Sequence, residues 1–261
     1  MSTILITGSS SGLGLAFLKH YLPLPTTTSI LAIDLHPLPP LPPSLLPHAS
    51  KLTTWSNIDI ANASSLSPIV HFLANKPLHL ILHCAGIRGL VPSIVAQQKG
   101  DVAAAETLQT MEKETMIRTF EINTWGTLNT VRTFLPNLLL CNSTSTSTSA
   151  ADSSPAPTVP KVIILSSRMG SISANTTGGG YAYRASKAAL NAVVTSLAID
   201  VPEVVFLMLH PGRVETGLVE WKEEGAISVE ESLGTCLRVI EEVGKEGSGR
   251  LVDRWGSVIA W

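Results

Sequence analysis

Two tyrosines and one lysine in the segment GGGYAYRASKAALNAVV have the residue types and the spacing for acid–base chemistry. Lys187 follows Tyr183 by four residues, whereas Ala185 stands four residues after Tyr181. Residues four apart share one face of a helix, so Tyr183 alone gains a charged neighbour. An ammonium beside a phenol favours the phenolate, which makes Tyr183 a usable general acid–base. An exposed Tyr–Lys helix pair has the same spacing, so the assignment needs support from the rest of the chain.

The stretch TGSSSGLG at 7–14 is a second chemistry-bearing motif, because it has the form of a phosphate-binding turn. It follows a strand-like run directly and opens a helix-like one, where backbone N–H groups and the helix dipole attract anions. Gly8, Gly12 and Gly14 permit a tight turn and a close approach of the backbone to a ligand. A plain strand–helix turn rarely needs three glycines, and a P-loop would end in Gly-Lys-Ser/Thr where this loop has Gly-Leu-Ala.

Two aspartates and a small-residue pair follow other strand-like runs. Asp34 ends the second run, beside which a dinucleotide fold places the adenosine ribose, and its carboxylate can accept hydrogen bonds from both hydroxyls. An ordinary aspartate in a turn is the alternative. Asp59 could accept a bond from the adenine amino group, and Ala85-Gly86 let the backbone pass close to the adenosine side. The histidine and cysteine just before Ala85 have no partner at metal-ligand spacing, so we expect strand packing and no metal site.

Composition excludes several functional classes. The chain has 261 residues, 44% hydrophobic and 15% charged, which favours a buried core over disorder. A formal net charge of −2 gives no footprint for nucleic acid. No apolar run approaches the ~18 residues of a spanning helix, and the N-terminus lacks a signal-peptide pattern, so we expect no membrane partner. Three scattered cysteines without a CxxC pair favour reduced thiols and a cytoplasmic location.

Strand-like and helix-like segments alternate along the chain, which is typical of a parallel sheet covered on both faces. Strands are predicted at 4–7, 29–34, 52–58, 78–84, 161–166, 204–210 and 250–252. Helices are predicted at 13–21, 64–74, within 112–135, and at 181–200 and 228–243. Right-handed crossovers then give an α/β fold, a doubly wound parallel sheet of the Rossmann type.

Two segments interrupt this alternation. Of the 17 prolines, 8 fall between positions 23 and 47, so the proline-rich loop 36–47 cannot be a regular helix and is expected to be extended. The tract 142–160 is rich in Ser, Thr and Pro and predicts a surface insertion. A linker between domains is the alternative. Chemistry-bearing motifs on both sides of the tract need each other, so we predict one domain over 1–261.

Together the motifs resemble the short-chain dehydrogenase/reductase family. The resemblance rests on TGSSSGLG, CAG, the asparagine of FEINTWG, ILSSRMG, YAYRASK and HPGRVET, in that order, and extends from residue 3 to about residue 255. The segment SSRMGSIS, followed by GGGYAYRASKAALN, is most similar to the C-factor-like branch, which includes carbonyl reductases.

The resemblance implies a catalytic tetrad of Asn123, Ser167, Tyr183 and Lys187. Tyr183 would be the proton donor in reduction and the acceptor in oxidation, and Lys187 would bind the nicotinamide ribose. Ser167 would hydrogen-bond the substrate oxygen as negative charge develops on it. Asn123 would hold a water that relays protons from Lys187.

The same resemblance implies a set of cofactor contacts and a lid. The contacts are Gly8, Ser10, Ser11, Gly12, Leu13, Gly14, Asp34, Asp59, Ile60, Ala85, Gly86, Tyr183, Lys187, Pro211, Gly212, Val214 and Thr216. Segment 212–225 is expected to cover the substrate, with Leu218 and Trp221 as apolar contacts. Arg88 and Arg168 are expected either to meet an anionic group or to be solvated.

This chain departs from the family pattern in several places. The usual Asn-Asn-Ala-Gly reads His-Cys-Ala-Gly at 83–86, which puts local support of the sheet in doubt. The interval from Ser167 to Tyr183 is a few residues longer than usual. The tract 142–160 is an insertion, and the proline-rich loop replaces the second crossover helix.

These observations lead to an NAD(P)(H)-dependent oxidoreductase that interconverts a carbonyl and a secondary alcohol on a small organic molecule. Asp34 favours NAD(H), although C-factor-like relatives often use NADP(H). Dimers and tetramers are common in the family, so the resemblance implies a homodimer or homotetramer. The alternatives are a cofactor-bound signalling or scaffold protein without turnover, and a dehydratase or isomerase that uses the same site. The identity of the substrate is not contained in the sequence.

Overall fold

The computed structural model describes residues 2–97, 103–143, 159–219 and 224–261, and these form a central parallel sheet with helices on both faces. The strands are β1 Ser2–Thr7, β2 Thr27–Ile33, β3 Leu52–Trp55, β4 Leu80–His83, β5 Lys161–Leu165, β6 Val205–His210 and β7 Leu251–Asp253. The helices are α1 Gly12–Tyr21, α2 Ala63–Leu73, α3 Pro92–Gln97, α4 Lys113–Phe120, α5 Gly126–Ser143, α6 Tyr181–Asp200 and α7 Val229–Glu242. The sheet order is β3-β2-β1-β4-β5-β6-β7, and every neighbouring pair is parallel.

Alternating strand residues build two hydrophobic cores, one on each face of the sheet. Leu5 packs into the core under α2, α5 and α6, while its neighbours Ile4 and Ile6 pack into the core under α1 and α7. Successive side chains of a strand point to opposite faces, so a strand buried on both faces must be apolar throughout. The predicted doubly wound α/β fold is confirmed.

The strand order places the functional motifs at one edge of the sheet. The chain starts at β1 and runs outward through β2 and β3, then crosses to β4 and runs outward the other way. At such a switch point the loops after the central strands diverge and leave a crevice at their carboxyl ends. The glycine loop follows β1 and contacts the turn after β4, and the loops after β5 and β6 line the same crevice.

The predicted strands and helices are found, with ends that shift by up to three residues, while the region 112–135 is more complex than predicted. It contains α4, a π-helical turn over Glu121–Trp125 and the start of α5, which continues to Ser143. Helix α3 is not among the predicted helices. The missed helix has no buried residue, so its pattern carried little amphipathic signal.

The expectation that the proline-rich loop 36–47 is extended, without a regular helix, holds for residues 37–42 and is wrong for residues 43–47. Residues 37–42 have no regular structure, and a 3₁₀ helix runs over Pro43–Lys51. Leu45 is buried, and Leu38 and Leu41 are partly buried, against the core under α1 and α7. The segment therefore covers the sheet with leucines, although its prolines remove the hydrogen bonds of an α-helix.

Two other expectations fall partly outside the described residues. Residues 144–158 of the Ser/Thr/Pro-rich tract lie there, as do residues 220–223 of the expected lid, including Trp221. Both remain predictions. Within the four described ranges, none of the helices is long and apolar enough to cross a membrane.

Candidate active site

A cleft of about 620 Å³ opens at the carboxyl ends of the central strands. It is lined by the glycine loop, by the ends of β2, β4, β5 and β6, and by the start of α6. The predicted cofactor contacts that line it are Gly8, Ser10, Ser11, Gly12, Leu13, Gly14, Asp34, Asp59, Ile60, Ala85, Gly86, Tyr183, Lys187, Pro211, Gly212, Val214 and Thr216. The structure thus brings together every residue predicted to contact the cofactor.

The glycine loop is shaped by contacts that admit no side chain. Gly8 has φ +65°, and a β-carbon on it would lie 2.8 Å from the backbone nitrogen of Ala85. A β-carbon on Gly14 would lie 2.0 Å from the carbonyl oxygen of Gly8. The loop therefore presses against the turn after β4 on one side and against the first turn of α1 on the other. This bare backbone at a helix N-terminus fits a pyrophosphate group.

Asp34 and Asp59 both line the cleft. The Asp34 carboxylate accepts hydrogen bonds from the backbone N–H groups of Ser10 (2.8 Å) and His36 (3.0 Å). Asp59 accepts from the N–H of Ala61 (2.9 Å). Both carboxylates thus hold their own loops in shape, and the Asp34 carboxylate also ties the glycine loop to the end of β2.

Tyr183 and Lys187 lie on one face of α6, as their spacing predicts. Their residues are 7% and 4% exposed, whereas Tyr181 is 39% exposed and does not line the cleft. The Lys187 Nζ lies 5.7 Å from the centre of the Tyr183 ring and donates a hydrogen bond to the Leu165 carbonyl (3.0 Å). Burial lowers the pKa of Lys187 to about 8, because an ammonium is poorly solvated there.

Ser167 follows the end of β5 by two residues and lines the same cleft as Tyr183 and Lys187. Its Oγ accepts a hydrogen bond from the Met169 N–H (3.1 Å) and caps a 3₁₀ turn over Arg168–Gly170. Acceptance leaves the hydroxyl hydrogen available for a ligand oxygen in the cleft. A β-carbon on Gly170 would lie 2.9 Å from backbone atoms of Lys187, so the turn packs directly on α6.

Asn123 lies behind the cleft and does not line it. It sits in the π-helical turn and is 1% exposed. Its Oδ1 accepts from the Ile87 N–H (2.9 Å), while its Nδ2 donates to the Ile87 carbonyl (2.9 Å) and to Ser186 Oγ (3.0 Å). The side chain thus joins the turn after β4 to α6. π-Helical turns are frequent at functional sites, and this one positions a cleft wall.

His83, which replaces a usual family asparagine, has a specific place in the structure. The ring is 1% exposed, with Nδ1 3.2 Å from Thr7 Oγ1 and Nε2 3.0 Å from Thr127 Oγ1. Burial, and secondarily the charge of Lys187, lowers the pKa of His83 to about 3. His83 is therefore a neutral side chain that joins β1, β4 and α5. It supports the sheet locally although the usual family asparagine is absent.

Of the two environments expected for Arg88, the structure excludes the solvated one. Its guanidinium makes two hydrogen bonds to the Glu106 carboxylate (2.8 and 2.9 Å), its side chain is only 14% exposed, and the residue lines the cleft. It also lies 5.1 Å from the centre of the Tyr183 ring. Glu106 was not predicted from the sequence, because two residues 18 apart that share no helix or strand leave no periodic signal. Arg168, by contrast, is exposed and lines the cleft.

Comparisons with known proteins agree with this architecture. A family model described as short chain dehydrogenase matches residues 2–226, a range that contains the glycine loop, Ser167 and the Tyr183–Lys187 pair. The chain is 35% identical over 187 residues to C-signal of Myxococcus xanthus, covering 71% of this chain and 93% of the relative. Carbonyl reductase Sniffer of D. melanogaster has TM-score 0.78 at 26% identity, with 100% of both chains covered. The NADPH-bound carbonyl reductase from chicken fatty liver has TM-score 0.79 at 24% identity, covering 100% of this chain and 99% of that one.

Proposed function

The chain belongs to the short-chain dehydrogenase family and is an oxidoreductase of that family, and from this premise we propose that it interconverts a carbonyl and a secondary alcohol on a small organic molecule. One observation carries the proposal. Tyr183, Lys187 and Ser167 meet in the same cleft as the glycine loop, so an acid–base, a fixed hydrogen-bond donor and a nucleotide cradle share one space.

The residues of the cleft fit a nicotinamide dinucleotide. Gly8, Gly12 and Gly14 carry no side chain that could keep a pyrophosphate away from the backbone of the loop, and Gly8 and Gly14 have no room for a β-carbon. Asp34 and Asp59 would hold the adenosine end, Lys187 the nicotinamide ribose, and the segment 211–216 the nicotinamide ring. When bound, the nicotinamide supplies or accepts a hydride.

The side chains of this chain move and hold the proton. In reduction, the Tyr183 hydroxyl gives its proton to the substrate oxygen, and in oxidation the phenolate takes it back. The Lys187 ammonium favours the phenolate that remains after reduction. The Ser167 hydroxyl donates to the substrate oxygen and stabilises the negative charge that develops there. Asn123 holds the turn after β4 against α6, so the cleft keeps its shape around these groups.

For the cofactor we propose a preference for NAD(H). A 2′-phosphate would lie against the Asp34 carboxylate, and two like charges would repel each other. Three positions of the cleft lining could hold that phosphate if they carried a lysine or an arginine. They carry Ser10, Ser11 and Leu35 instead. The chicken enzyme is NADPH-bound, but at 24% identity this relative supports the fold and not the choice of cofactor.

A self-associated, cytoplasmic form is part of the same proposal. Met116, Ile117 and Phe120 on α4 are 38–56% exposed, and an apolar surface of this kind supports a dimer or tetramer. Cys84, Cys141 and Cys236 are free thiols, which supports a reducing compartment. Sedimentation of the purified chain at several concentrations tests the first point, and a purely monomeric protein would contradict it.

The decisive experiment is a panel of aldehydes and ketones assayed with NADH and NADPH in parallel, with the reverse reaction run on the matching alcohols. We expect turnover of at least one carbonyl, faster with NADH. Tight cofactor binding without turnover on any member would favour the scaffold alternative. Water loss or isomerisation without a change in cofactor absorbance would favour the dehydratase or isomerase.

A further inference from the structure

The largely buried ion pair between Arg88 and Glu106 stands beside Tyr183, the proposed general acid, and has no part in the proposed mechanism so far. Arg88 Nη2 lies 2.8 Å from Glu106 Oε1 and Arg88 Nε 2.9 Å from Glu106 Oε2, with side chains 14% and 11% exposed. A planar guanidinium that binds a carboxylate through two parallel bonds has little freedom to rotate. The pair is therefore a rigid group at the wall of the cleft.

Neighbouring backbone contacts fix the position of Arg88. Both polar backbone atoms of Ile87 are bound to the Asn123 side chain. Gly89 has φ +74°, and a β-carbon on it would lie 2.5 Å from Thr119 Oγ1 and 3.0 Å from the β-carbon of Ala182. The backbone on each side of Arg88 is thus held against α4 and α6, which leaves the arginine little room to shift.

Glu106 in turn fixes the start of the helix that carries Tyr183. Its carbonyl accepts a hydrogen bond from the Gly180 N–H (2.9 Å), the residue that caps α6. Gly180 has φ +57°, and a β-carbon on it would lie 3.5 Å from Glu106 Oε2. One residue thus contacts both the first turn of α6 and the arginine beside the catalytic ring.

The Arg88 guanidinium also contacts the aromatic ring of Tyr183. The Arg88 Cζ lies 5.1 Å from the centre of the Tyr183 ring, and Lys187 Nζ lies 5.7 Å from the same point. A cation over the face of a tyrosine is attracted to it, and burial strengthens the attraction. Since Glu106 offsets the charge of Arg88, holding the ring in place is the larger effect expected of the pair.

We propose that Arg88, oriented by Glu106, is a positioning residue that holds the Tyr183 ring in the orientation needed for proton transfer. This inference rests on the proposed function for its kinetic consequence. A misplacement of about 1 Å can reduce turnover by roughly 10²-fold, so loss of the guanidinium should lower kcat more than it raises KM.

The test separates this role from a structural one by a pair of variants. Arg88→Met alone leaves the Glu106 carboxylate without the guanidinium, and Glu106→Gln alone leaves the guanidinium without the carboxylate. Because each single variant leaves one charge of the pair uncompensated, we expect Tm to fall by roughly 6–12 °C. The double variant Arg88→Met/Glu106→Gln has no buried charge at the pair, so Tm should return to within about 3 °C of wild type. We expect kcat of the double variant to stay roughly 10-fold or more below wild type, with KM changed less than about threefold. Recovery of both Tm and kcat in the double variant would overturn the proposal.

Two further variants keep the test conclusive if the double variant folds poorly. Arg88→Lys keeps the charge but loses the planar fork, and we expect a wild-type Tm with kcat lowered about 10-fold. Arg132→Met is the matched control, because the Arg132 guanidinium lies 5.3 Å from the Trp125 ring on the exposed side of α5, outside the cleft. It should keep wild-type kcat. An Arg88→Lys enzyme with wild-type kcat would also overturn the proposal.

A measurement without turnover distinguishes failure of this inference from failure of the proposed function. The chain has 3 tyrosines, so carbon-13 labelling of tyrosine gives few NMR ring signals, and Tyr183→Phe identifies the one from Tyr183. We expect Arg88→Lys to shift or broaden that signal and Arg132→Met to leave it unchanged. A responsive signal in a protein that reduces no carbonyl would reject the proposed function and retain the positioning role. An unresponsive signal would reject the positioning role.

Discussion

At the scale of single residues, the buried position of Tyr183 beside Lys187 predicts a general acid–base whose loss does not disturb the fold. Tyr183→Phe removes one hydroxyl, so Tm and cofactor affinity should change little, while kcat/KM for carbonyl reduction should fall by roughly 10² or more. Tyr181→Phe is the matched control, because Tyr181 is 39% exposed and lies outside the cleft lining. Steady-state kinetics of both variants check this. Equal losses from the two, or none from either, would reject the assignment.

Asp34 predicts the choice of cofactor at the same scale. Asp34→Ala should lower the ratio of kcat/KM for NADH over NADPH by roughly tenfold, the effect of about 1.4 kcal/mol, because a like charge next to a 2′-phosphate is removed. Leu35→Arg should move the preference further toward NADPH, since Leu35 lines the cleft and is 51% exposed.

Asp59→Ala serves as the comparison for this prediction. Asp59 lines the cleft and is predicted to bind the adenine, which both cofactors share, so we expect similar losses with both and an unchanged ratio. A wild-type enzyme with higher kcat/KM for NADPH than for NADH would contradict the interpretation of Asp34.

At the scale of elements, the close contact between the glycine loop and α1 predicts that a single methyl group added at Gly14 destabilises the protein and weakens cofactor binding. In Gly14→Ala the β-carbon would meet the Gly8 carbonyl oxygen at 2.0 Å, so the loop or the helix must move. Overpacking of this kind costs about 1–3 kcal/mol. We expect a Tm lower by several degrees and a cofactor Kd raised about tenfold or more, because the displaced N–H groups no longer converge.

A second glycine in a helix provides the control for this change. Gly234 lies in α7, and a β-carbon on it would have nothing within 4 Å. Gly234→Ala should therefore stabilise the protein by up to about 1 kcal/mol through helix propensity, with unchanged Kd. Thermal melts and cofactor titrations measure both quantities. A Gly14→Ala variant that binds cofactor as tightly as wild type would show that the close approach is not needed.

At the scale of the whole molecule, the buried histidine between β1, β4 and α5 predicts a loss of stability in acid. Its native pKa is about 3, against about 6.5 in an unfolded chain, so between these values the unfolded state binds more protons. Stability from His83 is therefore fully present above pH 6.5 and is lost as the pH falls toward 3. At pH 5 the loss amounts to about 2 kcal/mol. His210, whose pKa burial lowers to about 4, acts in the same direction.

His83→Asn tests this prediction, because an amide can bond to the Thr7 and Thr127 hydroxyls without titrating. Between pH 7 and pH 5, Tm of the variant should fall by roughly 4–8 °C less than Tm of wild type. His71→Asn, the same change at an exposed position on α2, is the matched control. Parallel Tm curves for wild type and His83→Asn would contradict the assignment of His83 as a buried neutral group.

The sequence by itself determined those features that depend on local patterns. Strands buried on both faces need continuous apolar runs, so the order of strands and helices, and with it the doubly wound sheet, was predictable from periodicity. The glycine loop and the Tyr183–Lys187 pair were also predictable, because a turn motif and an i, i+4 spacing lie within a few residues of chain.

Only the tertiary structure decided how the buried polar groups pair. Arg88 binds Glu106 across 18 residues, and His83 contacts Thr7 and Thr127 across 76 and 44 residues. No periodicity joins such positions. A buried polar group must find a partner, but which partner it finds depends on the segments that the sheet and helices bring together in space. For this reason the sequence predicted the proposed acid–base pair, whereas the groups that surround it were set by packing between distant parts of the chain.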